Sequence, residues 1–442
     1  MRSSLRTIAG AAFVALAASC EQAPEVSIPT FSDGGLLHTG KPLSRQQLFF
    51  FEGMFGVAEG GDLLGSKVAV RTSRDTVSLL TDKKSGFVAL GAACLPDRRV
   101  VLEGVWQHPA GTDAGLARVF VEPPETAGAL CDGAVLTPTT ALRLSGSYGD
   151  GDDIPNKALT VTWSHELKPW RGRFFTVAHR GGCEVADHCG VTPNSIEALR
   201  LGERSGANAA EVDVRLTSDG IPILFHDPML SASVVKGLFC NGQIADYSLA
   251  ELRGSCVLKH GETIPTVQET LDALIANTEL EAVYLDMKST DAVLPTARIA
   301  ARTLASLHDR VLAILVGLPD QDMLDAWRAA KPVLQAEGLA IPPCLIEFDP
   351  DLVISEGCSV WSPTWTDGPQ VGKVRALQNA GARVLFWTMN QSDFIDAYLT
   401  EAQPNGLLTG RSALVFHEYQ TIGTPPPLPP PPSPAQPVGG SQ

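Results

Sequence analysis

Positive charge is scarce in this 442-residue chain: 34 Lys and Arg stand against 49 Asp and Glu, a formal net charge of -15. So large an acidic excess argues against a groove for nucleic acid or for an anionic membrane. The apolar run near the N-terminus, Ile8 to Ala18, is too short to cross a bilayer. Paired cysteines at metal-ligand spacing are also missing, since no C-x-x-C occurs and His188 is the only histidine close to a cysteine pair. What is present, 44% hydrophobic residues, excludes a disordered or collagen-like chain. Length alone suggests about three domains, although one α/β barrel takes roughly 250 residues by itself.

The two ends have compositions of their own. Arg2 and Arg6 precede the short apolar run, and Ser19-Cys20 closes it, the order of a secretion signal over residues 1–20. Leu16-Ala17-Ala18-Ser19-Cys20 also resembles a bacterial lipoprotein signal, with its leucine one place further from the cysteine than usual. That implies export to the periplasm, the cell surface or the medium, with membrane attachment through a lipidated Cys20. Eight cysteines then remain, an even number suited to disulfides in an exported protein. Proximity pairs Cys94 with Cys131, Cys183 with Cys189, Cys240 with Cys256, and Cys344 with Cys358. Residues 424–442 hold nine prolines in nineteen positions, which predicts an extended, solvated tail.

Between the ends the chain changes rhythm once. From Lys67 to Leu167, short β-branched or alternating apolar runs (Lys67–Arg71, Thr76–Leu80, Phe87–Cys94, Val100–Trp106, Ala117–Val121, Leu142–Gly146, Leu159–Trp163) are separated by turn signals. This predicts a small all-β sandwich or barrel within residues 30–168 that carries no catalytic constellation. After Arg173, strand-like runs at Phe174–Ala178, Ala209–Leu216, Val283–Met287, Val311–Val316, Cys344–Phe348 and Val384–Thr388 alternate with helical stretches such as Ser195–Ser205 and Thr266–Ala276. Strand-helix alternation over this length predicts an α/β fold, a (β/α)8 TIM barrel, at residues 172–418. Ile223–Phe225, Val360–Pro363 and Leu407–Thr409 bring the candidates above eight, so at least one lies outside the barrel.

Two of these strands are not apolar on both faces, as barrel strands ordinarily are. Period-two geometry places Glu211, Asp213 and Arg215 on one face of the second strand, and Asp286 and Lys288 on one face of another. Unpartnered buried carboxylates are costly, so they either pair with the cations as structural salt bridges or converge on a hard divalent ion. His179 and His226 end apolar runs, and strand C-termini carry the active site in such barrels. With Arg180 and Lys288 beside them, the two form a plausible acid/base pair around a phosphate.

The ordered set His179-Arg180-Gly181, Asn194-Ser195, Glu211-Val212-Asp213, Thr217-Ser218-Asp219-Gly220, His226-Asp227, Leu285-Asp286-Met287-Lys288 and Trp387-Thr388-Met389-Asn390 resembles the glycerophosphodiester phosphodiesterase family. The resemblance covers Phe174 to Leu414. It implies a TIM barrel that hydrolyses a small-molecule or lipid phosphodiester with one divalent cation, Mg2+ or Ca2+. It further implies Glu211, Asp213 and Asp286 as metal ligands, Arg180 and Lys288 on the phosphate, His179 and His226 as base and acid in undecided order, and Trp387 against the glycerol or headgroup side. Three positions depart from the family pattern: Pro193 stands where a glutamate is common, Asp286 where the third ligand is commonly glutamate, and Gly410 where an aspartate follows the last strand's threonine. The shorter Asp286 also resembles the phospholipase D toxins, which form cyclic phosphates from lysophospholipids or sphingomyelin. A catalytically silent surface-binding barrel is the third reading, and the occupied motif positions argue against it. In either enzyme the Cys183–Cys189 loop is expected over the site.

Overall fold

The computed structural model describes residues 25–307, 310–423 and 425, so Cys20, with the signal sequence, and the chain beyond Pro425 lie outside the described residues. A two-residue strand, Lys41–Pro42, which pairs with Phe87–Cys94, precedes eight longer antiparallel strands: β1 (Gly53–Glu59), β2 (Lys67–Ser73), β3 (Thr76–Leu80), β4 (Phe87–Cys94), β5 (Val100–Gln107), β6 (Ala114–Glu122), β7 (Arg143–Asp150) and β8 (Lys157–His165). Each pairs with the next, and β1 pairs with β8, closing an up-and-down barrel with no free edge. The open choice between sandwich and barrel thus resolves to a barrel. Alternation explains the packing. Val68 and Val70 point into the interior with Val77, Leu79, Val88 and Leu102, while Ala69 and Leu80 point outward into the core of the following domain. The closing strand β1 is absent from the sequence-based list because Met54 and Phe55 sit side by side between two glycines, which hides its period.

The second unit is a closed parallel barrel of β9 (Phe175–Ala178), β10 (Ala209–Leu216), β11 (Ala282–Met287), β12 (Ala313–Leu318), β13 (Cys344–Ile346), β14 (Val360–Trp361), β15 (Arg383–Phe386) and β16 (Gly406–Thr409). Pairing of β9 with both β10 and β16 closes the ring. The surplus run is Pro222–Leu224, which folds back antiparallel on β10 and stands outside the ring. Inward side chains of β9 to β16, Phe175, Val177, Tyr284, Leu315, Leu345, Val360, Leu385 and Leu408 among them, fill the barrel. Outward ones meet amphipathic helices, including α1 (Ile196–Arg204) and α2 (Val267–Asn277). Thr266 caps α2 in a reciprocal box with Glu269, which fixes where that helix starts. All four cysteine pairs expected from proximity are disulfides.

The two barrels share a buried seam. Arg71 of β2 is 3% exposed, donates to the carbonyls of Gly206 (2.7 Å) and Ala207 (2.9 Å), and lies over the rings of Trp170 and Phe416. Burial lowers its pKa to about 10, yet it remains a cation at neutral pH. The final helix, α3 (Ser412–Thr421), is buried along nearly its whole length where it packs on β2 and β3. Arg71→Met removes both donors and strands two buried carbonyls, an expected loss of about 2–4 kcal/mol. Urea unfolding of variant and wild type should show the midpoint shift, and an unchanged midpoint would remove Arg71 from the forces holding the seam.

Candidate active site

The register of β10 against β11 sets Asp213 directly beside Asp286 at the C-terminal mouth of the ring. Glu211 lies two residues earlier on the same inward face. All three are buried, and one carboxylate oxygen of each lies within 4.8 Å of the others. Lys288, continuing β11, pairs with Asp286 and with Asp213 at 3.1 Å. The backbone N–H of Arg180 donates to Glu211 Oε2 at 2.8 Å, and its guanidinium Nε lies 3.6 Å from Asp213. Asn194 grips Asp213 twice, donating to its carboxylate at 2.7 Å and accepting from its backbone at 3.0 Å.

These partners do not cover every oxygen. Glu211 Oε1 and Asp286 Oδ1 are buried with no hydrogen-bond partner among the described residues. Lys288 thus neutralises part of the charge, as the salt-bridge expectation has it, and leaves two buried carboxylate oxygens without a partner. An oxygen-only donor set of this kind fits a hard divalent cation. Arg215, by contrast, neutralises no acid directly. It donates to the carbonyls of His226 and Lys288, clamping the two segments that bear those side chains.

The acids titrate apart for identifiable reasons. Burial, reinforced by Asp213 and Asp286, pushes Glu211 well above the carboxylate range. Burial also lifts Asp286 to about 6 despite Lys288. For Asp213 burial acts in the same sense, but Lys288, His226, Asn194 and Arg180 outweigh it and hold the group low. Burial opposes the charge of Lys288 as well, and Asp286 and Asp213 overcome it, so its pKa is raised.

His179 follows β9 and is 20% exposed, its Nε2 lying 3.9 Å from Glu211. Its Nδ1 is hydrogen-bonded to Glu184 Oε1 at 2.8 Å. Glu184 sits inside the Cys183–Cys189 disulfide loop and also accepts from Asn390 Nδ2 at 3.0 Å, while Asn390 Oδ1 accepts from Thr409 and from the Gly410 N–H. A Cβ at Gly410 would run into the Glu184 carboxyl group. The turn carrying His179 depends on close approach too: Gly182, at φ +124, abuts the backbone of Gly202 in α1. His226 arrives by the antiparallel return strand rather than a ring strand, at 39% exposure, with Nδ1 bonded to Asp227 at 2.7 Å. It lines a cavity of about 280 Å3 with Arg180, Glu184, Asn194, Phe225 and Asp227. Trp387 is not among that cavity's lining residues; its indole N–H donates to the Ser362 carbonyl and its ring packs on the barrel interior.

Glu184 and Glu347 escaped the sequence-based list. Glu347, just after β13, accepts from the Tyr284 hydroxyl, and burial with nearby Asp286 raises it to about 8. Tyr284 has room because Gly317 lacks a Cβ beside its ring. An acid following an apolar strand was the available signal for Glu347. Glu184 gave none, because only the fold of its loop brings it to His179.

Residues 179–414 match the model of the glycerophosphoryl diester phosphodiesterase family. The Mycobacterium tuberculosis protein named "Probable glycerophosphodiester phosphodiesterase 2" is 26% identical over 261 residues, covering 55% of this chain and 90% of its own length. Human glycerophosphodiester phosphodiesterase 1 is 32% identical over 167 residues, which are 34% of this chain and 45% of the human protein, so the match spans less than half of that relative. Among solved structures, an Oleispira antarctica phosphodiesterase in complex with the product sn-glycerol-3-phosphate matches at 20% identity and TM-score 0.45, covering 57% of this chain and 99% of the other.

Raised carboxylate pKa values mean that the native state binds more protons than the unfolded chain. Glu211, Asp286 and Glu347 therefore withdraw stability from the ion-free protein as pH rises from about 4 through about 6 and 8. Glu211→Gln mimics the protonated acid and should leave ion-free stability at pH 7 unchanged or higher by about 1 kcal/mol. It should also abolish any stabilisation by Mg2+ or Ca2+. Thermal melts from pH 5 to 8, with and without ion, check both, and a variant still stabilised by the ion would exclude Glu211 as a ligand.

Proposed function

The chain belongs to the glycerophosphoryl diester phosphodiesterase family, whose members are phosphoric diester hydrolases, and on that premise we propose that it cleaves glycerophosphodiesters to glycerol phosphate and an alcohol with two histidines and a divalent ion. The observation that carries this reading is the convergence of Glu211, Asp213 and Asp286, two of them with orphaned oxygens, beside His179. The three acids would hold Mg2+ or Ca2+, which when bound neutralises phosphate oxygens and the charge that develops on them.

The protein's own groups supply the rest. Arg180 and Lys288 reach the same mouth and bind the phosphate. With Nδ1 committed to Glu184, His179 presents Nε2, which takes the proton of the attacking oxygen. His226 is the more exposed imidazole, lines the cavity, and gives its proton to the departing alcohol. Four disulfides and the sequence of the N-terminal segment support an exported enzyme.

A lipid-borne diester, opened by the substrate's own hydroxyl to a cyclic phosphate, is the second reading. Leu238 and Phe239 favour it, being 93% and 75% exposed in the segment between His226 and Cys256.

Purified chain should turn over glycerophosphocholine with Mg2+ or Ca2+ and lose that turnover to a chelator. His179→Ala should lower kcat by about 10²-fold or more. Failure on both glycerophosphocholine and lysophosphatidylcholine under every ion would end the enzymatic reading, and a cyclic product from the lipid alone would select the second one. Glu184→Gln should cost about tenfold or more in kcat with little change in KM, the pattern of a residue that positions the base. Equal activity of Glu184→Gln and wild type across pH 5 to 9 would remove it from that role.

A further inference from the structure

A second group of metal-capable side chains lies on the seam between the barrels. Asp82 follows β3 of the antiparallel barrel, and His417 and Glu418 belong to α3 of the parallel one. One donor atom of each lies within 4.8 Å of the other two. His417 is 3% exposed and Glu418 is buried, whereas Asp82 is open to solvent.

His417 is the telling member. Neither ring nitrogen completes a hydrogen bond among the described residues, and the group that comes near the ring is the Lys67 backbone. A neutral imidazole carries one donor and one acceptor, and leaving both unmade in a buried site is costly. Asp396 brings a further carboxylate within hydrogen-bonding reach of Glu418, and its buried Oδ1 accepts from no N–H or hydroxyl donor among the described residues. Ser392 donates to Glu418 Oε1 at 3.0 Å, whereas Oε2 has only a 3.5 Å contact with Thr421. Lys83, next to Asp82 in sequence, is turned away, its ammonium donating to the Gly61 carbonyl at 2.8 Å, while Lys67 is the cation near His417.

We propose that Asp82, His417 and Glu418 form a second divalent-cation site, selective for Zn2+, that joins the accessory barrel to the last helix of the catalytic one. One ion there takes up an imidazole lone pair and offsets the facing carboxylates together. An imidazole with two carboxylates suits Zn2+ better than Mg2+ or Ca2+, and the exposed side at Asp82 leaves a position for water. The ion binds only when both barrels are folded and docked, so it stabilises the seam by mass action.

Zn2+ titrated into metal-stripped full-length protein, followed by calorimetry and by melting temperature, tests this. Wild type should bind one Zn2+ that persists in Glu211→Gln, with a melting temperature raised by about 3 °C or more at saturation. Asp82→Asn alters an exposed side chain and cannot empty the core, so it should weaken that Zn2+ by about tenfold or more. His417→Gln should abolish it, together with the visible absorption of Co2+ bound in its place. Both variants should keep wild-type phosphodiester turnover in Mg2+, which separates this site from the barrel mouth. Zn2+ bound with wild-type affinity by Asp82→Asn and His417→Gln, or lost with Glu211→Gln alone, overturns the assignment, as does a melting temperature indifferent to Zn2+.

Discussion

Three carboxylates forced together in the mouth of a parallel barrel are the constraint around which the rest is arranged. Strand register puts Asp213 beside Asp286, and the two-residue pleat adds Glu211 on the same face. Their mutual repulsion and desolvation are opposed by Lys288, by the Arg180 backbone N–H and by the double grip of Asn194, and two oxygens are still left over. Such incompletely satisfied acid groups cost stability, and it is this cluster that supports the metal-assisted reading.

Beside this centre, the glycine at position 410 acquires a structural consequence. Gly410, where an aspartate is common, leaves room that the Glu184 carboxyl group fills from a different direction. Glu184 rides on a loop closed by the Cys183–Cys189 disulfide and reaches both His179 and Asn390. A carboxylate is thereby supplied to His179 from within its own loop. A short covalent loop holds Glu184 in place with less conformational entropy to lose than an open loop would have.

The antiparallel barrel is coupled to the catalytic unit by more than a linker. Arg71 ends on backbone carbonyls of the segment between α1 and β10, and α3 is buried against β2 and β3. Because β16 ends at Thr409, in the Asn390 network, and α3 begins at Ser412, the seam and the site are separated by a few residues of chain.

Much of this was determined by the sequence alone. Short apolar or alternating runs marked most strands of both barrels, charged positions on otherwise apolar strands marked Glu211, Asp213, Asp286 and Lys288, and cysteine proximity marked the disulfides, because each of these signals is local in the chain. Tertiary structure decided what is not local. Closure of the antiparallel barrel needed β1, whose residues show no clear alternation, and the exclusion of Pro222–Leu224 from the ring followed from pairing geometry. Glu184 gained its importance only through the way its loop folds back on His179 five residues earlier, Glu347 when a separate strand end met Tyr284, and His417 when the two domains closed over it. Side-chain period is written in neighbouring residues, whereas burial, orphaned atoms and charge proximity are properties of segments far apart in the chain, and no short window of sequence contains them.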